Sequence, residues 1–354
     1  MPIAITADLH LTSRTENPQR FAALEEILDQ MILAGSNILI IAGDLFDQNR
    51  RDFHEFEEII KRREYTPLHF VILPGNHDAS LSQSYFSLPN VLVIDQPRLV
   101  RLEEKGLPFF FLPYKARATA GSQLSLFRNE LPQKEYVLIS HGNYISGPYA
   151  PNPLERGVYL PLSRTDLDAF QPGRVFLGHT HLPFQLDRVI SPGSPVAIDP
   201  TETGRRGFWL FDSVANILEH RIINQGPIFM REEFLIIPSL AEQQTLEVEI
   251  HRRVQSWGFS PEELKRVQLL AVFSGCAADR SALRKLILEA LGQVALFPDG
   301  EPDLSGVLSE ADPALAAAAA AAFQNAAGLT LSDSAAVPEP AEINRAIIRL
   351  VYGV

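Results

Sequence analysis

The sequence predicts an α/β (α+β) protein of two domains, and three observations support this prediction. The 354 residues suffice for two domains at roughly 100–200 residues each. Over roughly the first 225 residues, short apolar runs alternate with helical segments, as expected when buried strands are connected by helices. Near Gln225-Gly226-Pro227 this alternation ends, and a smaller α+β domain is predicted to begin.

Compact runs of β-branched and aromatic residues predict the strands of the first domain. They cover residues 3–7, 38–42, 68–73, 109–112, 137–140 and 175–178. Between the first two runs, apolar residues from Phe21 to Ile32 recur at the i, i+3 and i+4 spacing of a helix, which Gly35 is expected to end. A second helix is predicted over 52–63. Later runs separated by turns predict antiparallel hairpins at 184–190, 207–211 and 217–223.

The second domain is predicted to contain both strands and helices. Strands are expected at 234–238 and 267–274, helices at 248–257 and 281–291, a loop at 299–312, and a helix at the alanine tract 314–323. A linker over 332–340 and a short amphipathic helix over 343–351 follow. The expected boundaries are therefore 1–227 for the first domain, 228–331 for the second, and 332–354 for the linker and C-terminal helix.

Composition excludes several classes of protein. With Cys276 as its one cysteine, the chain has no disulfide framework and no cysteine-based zinc site. No apolar run reaches the ~18–20 residues of a membrane span, and the N-terminus lacks a signal-peptide pattern, so we expect a cytoplasmic protein with no membrane contact. The net charge of −12 argues against non-specific coating of nucleic acid, but it allows an enzyme that holds phosphate through metal ions.

Polar side chains follow five of the predicted strands, at the end where α/β folds collect ligands. Five of the nine histidines lie in these segments, and four of the five segments contain a glycine. The segments are Asp8-Leu9-His10, Gly43-Asp44-Leu45-Phe46-Asp47, Gly75-Asn76-His77-Asp78, His141-Gly142 and Gly178-His179-Thr180-His181. Each segment alone is compatible with an ordinary turn, but their joint occurrence after apolar strands predicts one site.

The residue types in these segments indicate a pair of metal ions. Carboxylate, amide and imidazole ligands without thiolate suit Mn²⁺, Fe²⁺, Zn²⁺ or Mg²⁺. Seven ligands are too many for one tetrahedral ion and suit two ions that share a carboxylate. The seven candidates are Asp8, His10, Asp44, Asn76, His141, His179 and His181.

The ordered series of five motifs resembles that of the calcineurin-like metallophosphoesterases, over about residues 3–212. The resemblance implies a β-sandwich flanked by helices and a dinuclear site, with Mn²⁺ the expected metal. It also implies that Asp8, His10, Asp44 and His181 hold one ion, and that Asn76, His141 and His179 hold the other with Asp44 as the bridge.

The same resemblance assigns roles around the metals. His77 is expected to contact the substrate phosphate and to protonate the leaving oxygen. Asp78 is expected either to orient the His77 ring or to serve in a turn. Asp47 is expected to support the substrate side. Apart from the resemblance, Arg50 and Arg51 follow Asp47 closely and are the preferred basic candidates for contacting a DNA backbone.

Later segments are similar to those of bacterial SbcD-type DNA repair exonucleases. They are Ser191-Pro192-Gly193-Ser194-Pro195, 199–202 and Gly204-Arg205-Arg206-Gly207-Phe208-Trp209-Leu210. This similarity implies a DNA exonuclease or endonuclease subunit of a repair complex, with an SMC-like ATPase as partner, a homodimeric assembly, and a capping role for the second domain.

Two other functions stay open at this point. One is a phosphodiesterase or phosphatase acting on a nucleotide or another small molecule, and the other is a scaffold in which metals only stabilise the fold. Lipid-A pathway pyrophosphatases share Asp-Leu-His-Leu, but they normally carry arginine where His77 stands.

Overall fold

The computed structural model describes residues 1–48, 53–132, 135–145, 157–236, 242–277, 279–309, 313–327, 342–343, 346–347 and 350–351. They form two compact units, Met1–Gly226 and Pro227–Val354. The division falls at the Gln225-Gly226-Pro227 segment where the sequence changes character. The linker expected over 332–340 lies outside the described residues.

The first unit contains fourteen strands among its described residues. They are β1 (Ile3–Thr6), β2 (Ile38–Ala42), β3 (His69–Leu73), β4 (Val91–Val93), β5 (Arg98–Val100), β6 (Phe109–Leu112), β7 (Val137–His141), β8 (Tyr144–Ile145), β9 (Leu162–Ser163), β10 (Arg174–Gly178), β11 (Phe184–Leu186), β12 (Val189–Ser191), β13 (Gly207–Asp212) and β14 (Ile217–Ile222). The helices are α1 (Pro18–Leu33), α2 (His54–Ile60), α3 (Ala120–Leu126) and α4 (Arg164–Phe170), with a 3₁₀ turn at Gln83–Tyr85.

Two six-stranded sheets form the centre of this unit. One has the order β14-β13-β1-β2-β3-β4, and the other has the order β11-β12-β10-β7-β6-β5. β1 to β4 are parallel in the first sheet, and β6, β7, β10 and β12 are parallel in the second. Antiparallel strands lie at the edges of both sheets, as the hairpin pattern predicts.

The central strands are apolar along their whole length because both of their faces are buried. In β6, Phe109 and Phe111 belong to the core shared by the two sheets, while Phe110 belongs to the core of the outer face with α3 and α4. A third core joins the outer face of the first sheet to α1 and α2. The predicted β-sandwich flanked by helices is confirmed.

The sequence explains both ends of α1. Pro18 stands in the first turn, where its missing N–H costs no hydrogen bond. Phe21, Leu24 and Leu28 are buried along one side at helical spacing. Gly35 follows the last turn with φ 67°, a left-handed conformation that favours glycine and ends the helix as predicted.

The second unit is a parallel sheet with helices. Its elements are β15 (Ile228–Ile236), α5 (Glu242–Ser256), α6 (Pro261–Leu264), β16 (Val267–Ala277), α7 (Arg280–Leu291), β17 (Ala295–Leu296), β18 (Asp303–Ser309) and α8 (Pro313–Ala327). β16 is the central strand and pairs in parallel with β15, β17 and β18. Alternate residues of β15 and β16 pack with α5 and α7 in one core.

Several elements differ from the sequence prediction. The loop expected over 299–312 contains β18, which forms through its pairing with β16 despite a sequence rich in turn residues. The run at 184–190 divides into β11 and β12, because Asp187 adopts φ 53° and turns the chain back. α3 and α4 were not predicted, although capping boxes at Thr119 and Ser163 begin them. A helix is expected over 343–351, and the residues of this range that the structure describes, 343, 346–347 and 350–351, are helical.

Among the described residues, no helix combines the length and the apolar character needed to cross a bilayer.

The core between the sheets should dominate the stability of the first unit. Phe111 is fully buried there, and its replacement by alanine should lower the free energy of unfolding by about 3–5 kcal/mol through lost contacts and a residual cavity. Urea unfolding followed by circular dichroism measures the loss. Leu99, which is 42% exposed on the edge strand β5, is the control, and Leu99→Ala should cost about 0.5 kcal/mol or less. Equal losses would contradict this account of the core.

Candidate metal centre

The candidate ligands come from the carboxyl ends of five strands, three in one sheet and two in the other. Asp8 and His10 follow β1, Asp44 follows β2, Asn76 follows β3, His141 ends β7, and His179 and His181 follow β10. β1, β2 and β3 are parallel neighbours, as are β7 and β10, so each set of ends meets at one edge of its sheet.

The structure brings all seven candidate ligands together. Three groups have ligand atoms within 4.8 Å of one another: Asp8, His10 and His181; His10, Asp44 and His77; and Asp44, His141 and His179. Asn76 joins the last group, since its Oδ1 lies 2.8 Å from His141 Nε2 and 3.0 Å from His179 Nδ1. Asp44 belongs to two of the groups.

Ring nitrogens of three candidate ligands, His141, His10 and His181, face the centre. His141 Nδ1 lies 2.9 Å from the Ala42 carbonyl oxygen, which can only accept, so Nδ1 carries the hydrogen and Nε2 faces Asp44. The two Nε2 atoms of His10 and His181 lie 3.1 Å apart. Such a convergence of imidazole nitrogens suits a shared metal ion.

Asp44 provides the most direct test of whether a metal fits here. Its Oδ1 accepts a hydrogen bond from the His77 N–H at 2.8 Å. Its Oδ2 is buried and has no hydrogen-bond partner among the residues that the structure describes. Oδ2 lies 3.6 Å from His10 Nε2 and 3.2 Å from His141 Nε2. A buried carboxylate oxygen between two sets of ligands is well placed to bridge two cations, so the residues fit a dinuclear centre.

The electrostatics of the centre reflect two fully buried carboxylates. Burial raises the pKa of Asp8 despite the nearby histidines. Burial alone would also raise the pKa of Asp44, but His141 and His10 outweigh it and lower that pKa. Burial opposes protonation of His141, yet Asp44 and Asp8 raise the His141 pKa to about 9. The pocket therefore favours positive charge, which a divalent ion would supply.

The backbone is unusual at the candidate ligands. Five of them have left-handed φ angles, Asp8 55°, His10 45°, Asp44 50°, His179 98° and His181 60°, a region that costs non-glycine residues free energy. Hydrogen bonds hold these conformations. The Asp8 N–H donates to the Gly43 carbonyl at 3.1 Å, and the His10 N–H donates to the Asp44 carbonyl at 3.0 Å. The His179 N–H donates to the Asp8 carboxylate at 2.9 Å.

Two glycines beside the ligands leave space that any side chain would fill. A Cβ at Gly43 would collide with the His141 ring, and a Cβ at Gly75 would collide with the Asp44 carboxylate. Glycine at these positions is therefore required by close approach to the ligands, as the sequence suggested.

His77 stands at the side of this centre with Asp47 as its partner. Its Nδ1 lies 2.9 Å from Asp47 Oδ1, and its ring packs edge-on against the His10 ring at 4.5 Å between centroids. Hydrogen bonds from His10 and His77 lower the pKa of Asp47, so this carboxylate is ionised.

The ring-orienting role expected of Asp78 is corrected by this geometry. The carboxylate of Asp78 accepts hydrogen bonds from the backbone N–H groups of Gly75 at 2.7 Å and Phe46 at 3.2 Å, and the carboxylate beside His77 Nδ1 is that of Asp47. It thereby ties the segment after β2 to the segment after β3, which is the turn role that the sequence left open. Arg50 and Arg51, the candidate DNA contacts, lie outside the described residues.

The sequence reasoning missed three buried charged residues behind the ligands, Arg20, Glu202 and Arg206. Glu202 Oε1 lies 2.8 Å from His181 Nδ1. Arg20 and Arg206 each donate a hydrogen bond, at 2.5 Å, to the carbonyl of a candidate ligand, His10 and His181 respectively. Arg20 was detectable, because it stands four residues before Leu24 on the apolar side of α1.

Comparison with known proteins decides the family. A sequence model of the calcineurin-like phosphoesterases matches residues 1–183, just over half of the chain. The chain belongs to the calcineurin-like phosphoesterases. This phosphoesterase family uses a dinuclear metal centre, in keeping with the His and Asp groups found here.

Two curated relatives are distant. An uncharacterized metallophosphoesterase, YhaO of Bacillus subtilis, is 24% identical over 211 residues, which cover 54% of this phosphoesterase and 48% of that protein. The DNA double-strand break repair protein Mre11 of Nanoarchaeum equitans is 22% identical over 251 residues, covering 59% of this chain and 66% of that protein. The chain thus spans about half and about two thirds of the lengths of these relatives.

Solved structures also resemble the phosphoesterase. A dimetal phosphatase from Danio rerio has a TM-score of 0.43 at 10% identity and covers 63% of this chain and 96% of its own. An archaeal phosphodiesterase has a TM-score of 0.34 at 16% identity and covers 63% of this chain and all of its own.

The corrected position of Asp78 predicts a pH effect on the metal-free protein. Burial and the Asp44 charge raise the pKa of Asp78 to about 7. Because this lies above the unfolded value of about 3.9, the stabilisation that Asp78 contributes is full below about pH 4 and is lost as the pH rises through about 7. The unfolding free energy of the wild type minus that of Asp78→Asn should therefore fall from about pH 4 to about pH 8, in urea titrations with chelator.

Asp212 gives a control of opposite sign. It is partly exposed at the end of β13, and hydrogen bonds from the Ala215 and Val214 N–H groups lower its pKa. The corresponding difference for Asp212→Asn should rise with pH as the unfolded-state carboxyl titrates. A wild-type minus Asp78→Asn difference that rises across the same range would contradict the buried environment described for Asp78.

Proposed function

We propose that this phosphoesterase hydrolyses phosphodiesters with two divalent metal ions, and that it acts on DNA as an exonuclease or endonuclease subunit. The observation that carries the proposal is the position of Asp44, which is shared by two groups of ligands while His77 stands beside it. Membership of the family supports the class of chemistry. The DNA substrate, the choice of Mn²⁺ and the partners belong to the proposal.

The ligand assignment takes the first and last of the three groups and uses the second because it places Asp44 beside His10. Asp8, His10 and His181 would hold one ion and Asn76, His141 and His179 the other, with Asp44 as the shared ligand. A pair of such ions supplies positive charge at the attacking and leaving oxygens of a displacement at phosphorus and lowers the pKa of bound water.

His77 supplies the proton for the leaving group. Asp47 accepts the Nδ1 hydrogen of the ring and so fixes its orientation, and Nε2 is the nitrogen proposed to act on the substrate. In the proposed step, a water molecule gives up one proton to solvent as its oxygen bonds to phosphorus, and the ester P–O bond breaks with its electron pair on the leaving oxygen. The His77 Nε2 proton passes to that oxygen, and His77 regains a proton from solvent. Asp47 stabilises the charged ring before that transfer.

Three findings support DNA as the substrate. The segments after His181 are similar to those of SbcD-type exonucleases, a DNA double-strand break repair protein is among the distant relatives, and a separate α+β unit follows the phosphoesterase unit. By the same resemblance, we place the capping role in the second unit and propose a homodimer working with an SMC-like ATPase.

The function is tested on the wild-type chain. Purified protein with Mn²⁺, Mg²⁺, Zn²⁺ or Fe²⁺ is assayed on bis-p-nitrophenyl phosphate and on linear and hairpin DNA. Metal-dependent cleavage of both substrate types supports the proposal. Turnover of the small diester without DNA cleavage would instead indicate a small-molecule phosphodiesterase. If no metal supports turnover of any substrate, the result would favour a scaffold in which metals only stabilise the fold.

Replacing His77 should separate catalysis from metal binding. His77→Asn removes the proton donor but none of the seven proposed ligands, so turnover of the diester should fall by about 10²-fold or more while metal content stays at two ions. Steady-state kinetics and elemental analysis measure the two quantities. His69→Asn, at the exposed amino end of β3, is the control and should leave both unchanged. Retained turnover in His77→Asn would exclude its catalytic role.

Replacing Asp44 should affect both ions at once. Asp44→Ala removes the carboxylate shared by the two ligand groups, so elemental analysis after gel filtration should find neither ion at full occupancy. Asp95→Ala, at an exposed position after β4, should retain both. Two ions still bound to Asp44→Ala would refute the shared-ligand assignment.

A further inference from the structure

A buried polar cluster behind His181 takes no part in the proposed chemistry. It consists of Ser194, Glu202 and Arg206, each at most 3% exposed, and it lies in the segment between β12 and β13. Both carboxylate oxygens of Glu202 are used. Oε1 accepts from His181 Nδ1 at 2.8 Å, and Oε2 accepts from the Ser194 hydroxyl at 2.9 Å and from the Ile198 N–H at 3.0 Å.

This arrangement fixes the chemical form of the His181 ring. An ionised carboxylate can only accept hydrogen bonds, so its contact requires the hydrogen on Nδ1 and leaves the lone pair on Nε2. Nε2 is the atom that lies 3.1 Å from His10 Nε2 in the candidate metal centre. The direction of the ring is also fixed, because the partners of Oε2 prevent the Glu202 carboxylate from rotating.

Arg206 holds the backbone of the same ligand. Its Nη1 donates to the His181 carbonyl at 2.5 Å, and its Nη2 lies 3.6 Å from Glu202 Oε2. The Ser194 N–H donates to the same carbonyl at 2.9 Å. His181 has φ 60°, so these bonds stabilise a peptide in a conformation that a non-glycine residue disfavours.

The neighbouring ligand is held in the same manner. Arg20 Nη1 donates to the His10 carbonyl at 2.5 Å, and the guanidinium lies 3.8 Å from Asp47. His10 also has a left-handed backbone, with φ 45°. Two ligands of one proposed ion thus depend on buried guanidinium groups, whereas His141, in the other ligand group, relies on the Ala42 carbonyl within the sandwich.

We infer that Glu202 and Arg206 are positioning residues that give the ion held by Asp8, His10 and His181 its affinity. The inference rests on the proposed two-metal function. Partners of metal-bound histidines commonly change metal affinity by about 10- to 100-fold when they are removed. The expected effect is therefore confined to one of the two ions.

Glu202→Gln tests the inference with little change in volume. If the amide oxygen faces His181, the amide NH₂ lies against the Ile198 N–H and Arg206. All of these groups are donors, so no hydrogen bond can form between them. If the amide is flipped, its NH₂ opposes His181 Nδ1–H and favours a hydrogen on Nε2, where the metal would bind. In both cases the ligand is mispositioned.

The measurement is a calorimetric titration of chelator-treated protein with Mn²⁺. Glu202→Gln should bind one of the two ions at least about 10-fold more weakly and the other as in the wild type. His181→Ala removes a proposed ligand of one ion, so the binding step that disappears in this variant identifies that ion. Glu232→Gln is the matched control, because its half-buried carboxylate contacts Arg253 and Trp257 in the second unit and no metal ligand. It should keep both affinities.

A second readout follows the ring itself. Long-range ¹H–¹⁵N correlation spectra of the metal-free protein with labelled histidine should show His181 with its hydrogen on Nδ1, and Glu202→Gln should move that hydrogen wholly or partly to Nε2. A role in stability alone would leave the tautomer unchanged. If Glu202→Gln does not fold, Arg206→Lys, which keeps the charge but loses the planar fork, should weaken the same ion.

The outcomes separate this inference from the proposed function. Wild-type protein that binds two ions and hydrolyses diesters, with Glu202→Gln unchanged in affinity and tautomer, overturns the inference alone. Wild-type protein that binds two ions without hydrolysing any phosphodiester overturns the proposed function, while the weakened ion in Glu202→Gln still supports the inference. Equal loss of both ions in Glu202→Gln and Glu232→Gln would show a general stability effect and overturn the inference. A wild type that binds no ion would overturn both.

Discussion

Two carboxylates buried at one end of a β-sandwich are the constraint on which the rest of the phosphoesterase unit depends. Asp8 and Asp44 have no exposed surface, and charge buried in this way is stable only when it is paired or bound to a cation. Imidazole rings surround both groups, and among the described residues Asp44 Oδ2 has no hydrogen-bond partner and lies near rings of both sets. Because these groups must converge on a small volume, five candidate ligands have left-handed backbone φ angles, and glycines stand where a side chain would collide with a ligand.

Much of this centre could be predicted from sequence because its ligands follow strands. An apolar run with a polar residue at its end places that residue at a sheet edge, and parallel pairing brings neighbouring ends together. All seven candidate ligands were identified this way. The partner of His77 was not, because Asp78 is adjacent in sequence while Asp47 reaches the ring from the segment after another strand. The spacing of residues along the chain does not predict which side chains from different loops come into contact.

The same reason explains the other differences. Glu202 lies 21 positions from His181, in a segment without periodicity, so only the folded loop shows that the two side chains meet. The strand β18 has a sequence rich in turn residues, and its pairing with β16 outweighs that local preference. Arg20 is the exception, since helical spacing alone places it beside the buried residues of α1. The fold class and the candidate ligands can thus be predicted from short sequence segments. Most of the residues that position the ligands cannot, because they come from distant segments that meet only in the folded chain.

The contribution of both sheets to one centre has a consequence for how the proposed ions are held. The His179 N–H from one sheet donates to the Asp8 carboxylate from the other, and each of the two proposed ligand sets combines residues from both sheets. Each of the two proposed ions would therefore meet its full ligand set only where the two sheets are packed together. Loss of that packing would remove ligands from both proposed sites at once.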